Sequence, residues 1–194
     1  MNIGIIPKVL ETNTNQFEYS VDIRLINLFK NIFTKCNIDI INSHTKIDKS
    51  YKLIVISGGN DLIKFSNKKS DQIRYKLNNK ILRKALRIKV PIMGICYGAQ
   101  YLALKYYSNF KKINHLKKHF IKLSNGKKIL VNSFHNVAIS NIGKSLRSSG
   151  IAYDNTIEYF YHQKKKIFGI MWHPERFIKF RKTDKSIIKK FICN

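Results

Sequence analysis

The sequence predicts an α/β fold: a mostly parallel sheet with helices on both faces, a three-layer α/β/α sandwich. Short apolar runs alternate with helical spacings over the first hundred residues, and a cysteine flanked by glycines sits where one such run turns into a helix. The composition is that of a packed chain. Of 194 residues, 44% are apolar and 12% aromatic, which offers enough buried surface to offset conformational entropy and excludes disorder as the main state. The length fits one domain, residues 1–194, whose core needs neither disulfide nor metal for stability.

Taken in order, Asn2 to Ile6 is a strand-like apolar run, followed by a polar stretch and a helical pattern with Val21, Leu25, Leu28, Phe29 and Ile32 on one face. Ile38 to Ile41 and Leu53 to Ile56 are again short apolar runs, the second ending in the turn Ser57-Gly58-Gly59-Asn60-Asp61. Ile73, Leu77, Ile81, Ala85 and Ile88 repeat at helical spacing, with Ser70 or Asp71 as the expected N-cap. Pro91 to Ile95 reads as a strand that turns at Gly94-Ile95-Cys96-Tyr97-Gly98 into a helix. The second half carries short β-like runs at Ile129 to Val131, Val137 to Ile139, Thr156 to Phe160 and Ile167 to Trp172. A last amphipathic helix begins near Thr183 or Asp184.

The formal net charge is +26. A nucleic-acid binder would gather its cations on one element and interleave aromatics and Arg forks. Here Lys outnumbers Arg by 30 to 7 and is spread along the chain, the pattern of a solvated basic surface. Lys111 to Lys128 and Lys164 to Lys166 are accordingly read as exposed turns and loop faces. Cys36, Cys96 and Cys193 are odd in number and far apart, which argues against a disulfide framework or a zinc site and for a reducing compartment. No run approaches the roughly 18 apolar residues of a membrane helix, and the N-terminus has no leader pattern. A cytoplasmic protein without membrane or nucleic-acid partner is expected.

Three pieces carry chemistry. Gly94 and Gly98 flank Cys96 at the spacing of a nucleophile elbow, where glycine relieves crowding as the chain reverses from strand into helix. The helix N-terminus favours a thiolate there, and the Tyr97 amide points toward an oxygen that develops charge on an attacked carbonyl. Met171-Trp172-His173-Pro174-Glu175 ends a strand with a histidine and a carboxylate two residues on, which face the same way in an extended segment. Alone, a His-Pro-Glu triplet is ordinary loop sequence. Paired with the elbow, it fills the base and orienting roles of a Cys-His-Glu triad. The glycine turn after the third apolar run offers the Gly59 amide as a second oxyanion donor.

These motifs, in this order over nearly the whole chain, resemble the class I glutamine amidotransferase-like superfamily, and within it the γ-glutamyl hydrolases that work without a synthase partner. Gly58-Gly59-Asn60-Asp61 resembles the loop of that hydrolase branch, while Pro7-Lys8 departs from the polar residue and Arg that often follow its first strand. The resemblance implies a flavodoxin-like sheet with the site at the C-terminal strand edge, and no cofactor. It implies catalysis by Cys96, His173 and Glu175, an oxyanion hole from Gly59 and Tyr97, and substrate contacts from Gln100, Asn132, Ser133 and His135. The combination of Ser57-Gly58-Gly59-Asn60-Asp61-Leu62, Asn132-Ser133-Phe134-His135-Asn136, Asp154-Asn155-Thr156-Ile157-Glu158 and Ile167 to His173 resembles branch members that release glutamate from a nucleotide-linked phosphoramidate used in capsule modification. A small-molecule γ-glutamyl substrate is therefore expected, with Lys64 to Lys69 and Lys111 to Lys128 as candidates for a basic rim. The alternatives are a γ-glutamyl-aminobutyrate or polyamine hydrolase, a glutaminase subunit, and, from another class, an inactive basic nucleic-acid-binding protein. Intact Cys96, His173 and Glu175 argue against the last.

Overall fold

The computed structural model describes residues 1–115 and 118–193. Its elements are β1 (Asn2–Ile6), β2 (Lys8–Asn13), β3 (Gln16–Ser20), α1 (Ile23–Ile32), β4 (Asn37–Ile40), β5 (Tyr51–Ile56), α2 (Lys69–Arg87), β6 (Ile92–Ile95) and α3 (Tyr97–Lys105). There follow β7 (Asn109–His115), β8 (His119–Leu123), β9 (Lys128–Val131), β10 (His135–Asn141), β11 (Leu146–Ala152), β12 (Ile157–His162), β13 (Ile167–Ile170), a 3-10 turn at Pro174–Arg176 and α4 (Lys182–Cys193).

The central strands β4-β1-β5-β6-β13 lie parallel in that spatial order, the flavodoxin-like arrangement. Pleating sends successive residues to opposite faces. Ile54, Ile56 and Ile92 therefore pack with Leu77, Ile81, Tyr101 and Leu102 of α2 and α3, whereas Leu53, Val55 and Met93 pack with Leu25, Leu28, Phe29 and Ile188 of α1 and α4. That is the expected three-layer sandwich. From β13 the sheet continues antiparallel through β12, β11, β8 and β9, and β10 pairs with both β12 and β7.

Several local expectations are corrected. The polar stretch after β1 is an antiparallel hairpin, β2–β3, outside the main sheet. Lys111 to Lys128 is not a set of loop faces but contains β7 and β8: Lys111 and Lys112 are consecutive exposed residues of β7, in β8 exposed Lys122 follows buried Ile121, and Leu116 and Lys117 lie outside the described residues. Lys164 to Lys166 does form an exposed turn. Neither Ser70 nor Asp71 caps α2: the capping position is Lys68, without a side-chain bond. Asp71 is instead buried and accepts from Asn60 Nδ2, the Asp61 amide and Ser66 Oγ, which ties the helix start to the loop after β5. No helix of the described residues is long and apolar enough to cross a membrane.

Candidate active site

Four strand ends meet at the C-terminal edge of the parallel sheet. β6 and β13 are neighbours in register, Ile95 opposite Ile170, and the Cys96 amide donates to Ile170 O at 2.8 Å. The residues that follow each strand are thereby brought side by side.

Cys96 takes φ 51° and ψ −108°, a left-handed backbone that costs a non-glycine residue of the order of 1–3 kcal/mol. The flanking glycines make this reversal possible. A Cβ on Gly98 would lie 2.0 Å from Ile56 O, and one on Gly94 would lie 2.4 Å from the Gly98 carbonyl carbon. The cysteine side chain is thrust to the head of α3, beside the His173 imidazole and the Tyr97 amide. Burial would raise the thiol's pKa. The His173 charge and hydrogen bond, the His135 charge and the Tyr97 amide outweigh it and hold the thiol below its ordinary value.

His173 Nδ1 is bonded to Glu175 Oε1 at 2.6 Å with both side chains buried, which leaves Nε2 for the thiol. Desolvation opposes the imidazolium, but the Cys96 thiolate and Glu175 raise its pKa to about 9. Each of Cys96 and His173 thus favours the charged form of the other, and a carboxylate holds the imidazole from behind. Phe134 closes one side of the ring edge-on at 5.6 Å, and Arg176 lies over Phe134 at 4.7 Å.

Gly59 holds φ +80° at the end of β5, and its N–H makes no hydrogen bond among those of the described residues. The carbonyl ends of this turn are gripped by the buried Arg74 of α2, a residue that nothing in the sequence pattern singled out. Lys8, at the start of β2, lays its alkyl chain across Gly59, with Cδ 3.0 Å from where a Cβ would stand. Lys8, Gly58, Gly59, His173, Glu175 and Arg176 line a cleft of about 70 Å³. The Asp22 carboxylate also borders it, but accepts the Arg24 amide as the N-cap of α1.

The loop predicted to contact substrate divides its work. The Asn132 side chain is engaged within the protein: its Nδ2 donates to His173 O and its Oδ1 accepts the His173 amide, both at 2.8 Å, so it clamps the segment after β13. His135 is buried. Its Nδ1 lies 3.1 Å from Val137 O and its Nε2 3.4 Å from Oε1 of the buried Glu158, an oxygen that His119 Nε2 also approaches at 3.6 Å. Burial lowers the His135 pKa, and Glu158 outweighs it and holds the imidazole above its ordinary value. Gln100 is buried one turn into α3 and anchors Nε2 on Val137 O. Ser133 Oγ is buried with no hydrogen-bond partner among the described residues. Of the candidate rim lysines, Lys68 pairs with Asp61, Lys69 with Asn15 and Lys111 with Asp154, while the cleft beside His173 is bordered by Lys8 and Arg176.

Comparison with known proteins agrees with this architecture. The family model described as glutamine amidotransferase class-I matches residues 13–194. The chain is 41% identical over 137 residues to the γ-glutamyl-CDP-amidate hydrolase of Campylobacter jejuni, covering 68% of each chain. It is 27% identical over 184 residues to a glutamine amidotransferase-like protein of Lactococcus lactis, covering 79% of this chain and 76% of that one. Among solved structures, a protein described as a GMP synthase subunit from Thermoplasma acidophilum superposes with a TM-score of 0.74 at 19% identity, covering all of this chain and 92% of the other. A cysteine elbow on β6, a histidine after β13 and a family match that reaches the last residue together establish that the chain belongs to the class I glutamine amidotransferase family.

Proposed function

We propose that this chain is a thiol-dependent γ-glutamyl hydrolase whose substrate is a γ-glutamyl amide of a nucleoside diphosphate, of the γ-glutamyl-CDP-amidate kind. The observation that carries the chemistry is the line from Glu175 through His173 to the thiol of the strained Cys96. Cys96 Sγ attacks the γ-carbonyl, and the oxygen takes up negative charge facing the Tyr97 and Gly59 amides. Donors of this kind contribute about 3–4 kcal/mol each to lowering the barrier. His173 gives its Nε2 proton to the leaving nitrogen as the C–N bond breaks, leaving a γ-glutamyl thioester. A water then loses a proton to His173 and attacks the thioester; sulfur departs as thiolate and glutamate is released. Glu175 keeps the imidazole oriented and stabilises its charged form. None of these steps needs a metal or organic cofactor.

Recognition falls to two sides. Gln100, the Ser133 hydroxyl and the His135 charge lie on the glutamyl side of Cys96. Lys8 and Arg176 flank His173 on the side to which the leaving group departs, and their charge suits phosphates. The name of the Campylobacter jejuni relative supports that substrate class.

The test is glutamate release by purified protein from γ-glutamyl-CDP-amidate, γ-glutamyl-aminobutyrate and glutamine, with Cys96→Ala as control. Preferred turnover of the nucleotide, abolished in Cys96→Ala, is the expected result. Turnover that survives in Cys96→Ala would overturn the mechanism, and preference for γ-glutamyl-aminobutyrate would overturn the leaving group.

A further inference from the structure

Arg74 has no exposed surface, whereas Lys76, Arg83 and Lys84 of the same helix reach at least partly to solvent. Removing a guanidinium from water costs several kcal/mol unless hydrogen bonds and charges compensate, so the site that holds it is built to do so. Nη1 donates to Gly58 O at 3.2 Å, Gly59 O at 3.3 Å and Asn60 Oδ1 at 3.0 Å. Nη2 donates to Ser57 O at 2.6 Å and Ser57 Oγ at 3.1 Å. The guanidinium plane lies over the Tyr97 ring, 4.6 Å from its centre. Burial lowers its pKa only to about 10, so it carries its charge at neutral pH.

One side chain therefore touches both residues whose amides form the oxyanion pair. The contact with Gly58 O has a direct electronic consequence. The unit joining Gly58 to Gly59 is a single planar, trans peptide, with its C=O and N–H pointing in opposite directions. A cation fixed on the carbonyl withdraws electron density from the N–H at the far end, and hydrogen bonds arranged in series strengthen one another. The same contact fixes the direction of that N–H, because the peptide cannot rotate while its oxygen is held. The neighbouring carbonyls of Ser57 and Gly59 are held by the same fork, so the turn has no free peptide about which to pivot. On the other side, the ring stacked beneath the guanidinium belongs to the residue that donates the second amide.

We propose that Arg74 is a positioning residue for the oxyanion hole, aiming and polarising the Gly59 amide through the Gly58 carbonyl while bracing Tyr97 from behind. It acts at the moment charge appears on the substrate oxygen, not in substrate capture and not in the nucleophilicity of Cys96. The proposal rests on the γ-glutamyl hydrolase reading above.

The test compares a reaction that forms an oxyanion with one that does not. In Arg74→Lys, which keeps charge but loses the fork, kcat for glutamate release from the best substrate should fall about 10- to 100-fold. That is short of the loss of about 10²–10³ expected from deleting a donor outright. KM should stay within about threefold. Alkylation of Cys96 by iodoacetamide, a displacement at saturated carbon that builds no oxyanion, should stay within about twofold of wild type. Should Arg74→Lys not fold, canavanine placed at position 74 keeps the planar fork while carrying a far more acidic guanidinium. Its kcat relative to wild type should then drop as pH rises, and the alkylation ratio should not. A folded variant with unchanged kcat overturns the proposal, and so does equal loss of turnover and alkylation, which would make Arg74 a support for the thiolate or the fold. A canavanine-to-wild-type kcat ratio of one at every pH overturns it as well. Absence of glutamate release by the wild type from every γ-glutamyl amide is a different failure, since it removes the hydrolase reading and this proposal with it.

Discussion

The imidazole of His173 rests directly on the α-carbon of Gly58: a Cβ at that position would stand 2.5 Å from Cε1 and within 3.4 Å of both ring nitrogens. Glycine is required here by the neighbouring ring rather than by its own backbone, since only Gly59 of the pair holds a positive φ. The ring cannot retreat, because Glu175 and the Asn132 clamp fix it from the other direction.

Gly58→Ala should therefore push the imidazole off the thiol while leaving the sheet intact. A displacement of this size at a reacting group costs about 10²-fold in kcat. Glutamate release and the melting temperature, measured together, check it: the expected variant is folded and slow. A variant of normal rate would mean that the ring has room to move.

The raised His173 pKa has a sign that can be tested. Its charged form is stabilised mainly by the Cys96 thiolate and then by Glu175, so kcat/KM should decline as pH rises through about 9, where the proton needed by the leaving nitrogen is lost. In Cys96→Ala the thiolate is gone, and the His173 titration followed by NMR should move to lower pH. In Glu175→Gln the alkaline limb of kcat/KM should also move down, and kcat should fall by about 10²-fold or more. An unmoved His173 titration in Cys96→Ala would contradict the ion pair.

Glu158 lies with no exposed surface between His135 and His119. Its pKa is held below the ordinary carboxylate value of 4.5 and that of His135 above 6.5. The carboxylate's contribution to stability is present above 4.5 and disappears as pH falls through its lowered value. That of His135 is complete below 6.5 and disappears as pH rises through its raised value. Between those limits both charges are present, and removing one partner of a buried pair costs about 3–5 kcal/mol. Glu158→Gln should therefore destabilise the protein more at about pH 5.5 than at pH 9, as read from urea midpoints. Equal losses at the two values would show that His135 is neutral throughout.

Lys8 and Arg176 border the cleft beside His173. Lys8→Ala and Arg176→Ala should each lower kcat/KM about 10-fold for a nucleotide-linked γ-glutamyl substrate, and less than about twofold for γ-glutamyl-aminobutyrate. Added salt should depress only the former in the wild type, because screening weakens attraction of an anion to an exposed cation. Parallel losses on both substrates would place the two cations on the glutamyl side instead.

The chemistry-bearing turns were legible because their constraints are local. Gly94 and Gly98 are separated from Cys96 by the spacing that a reversal demands, and Glu175 follows His173 at the spacing that keeps both on one side. Partners fixed only by the folded sheet were not legible. Arg74 is one basic residue among 37, and only the meeting of α2 with the loop after β5 distinguishes it from a solvated cation. His135 meets Glu158 across β10 and β12, strands joined in sequence through β11. The strands β7 and β8 were hidden by their own lysines: Lys111 and Lys112 are both exposed side by side in β7, and only in β8 does an exposed lysine, Lys122, follow a buried residue, Ile121. In β11 the Ser148-Ser149-Gly150 stretch dilutes the apolar signal that marks a strand.

The β2–β3 hairpin pairs only with itself and stands apart from the main sheet, yet it begins with Lys8, which lies across the Gly58-Gly59 turn. Cys96 and His173 belong to the ends of core strands, where substitution disturbs the whole packing. The hairpin is held at Val9, which is buried and exchanges both of its backbone hydrogen bonds with the Asn60 side chain of that turn. A graft of residues 8–20 therefore tests the leaving-group reading only when Val9 and Asn60 travel together, since an exchange that breaks this pair unsettles the Gly58-Gly59 turn as well as the cleft.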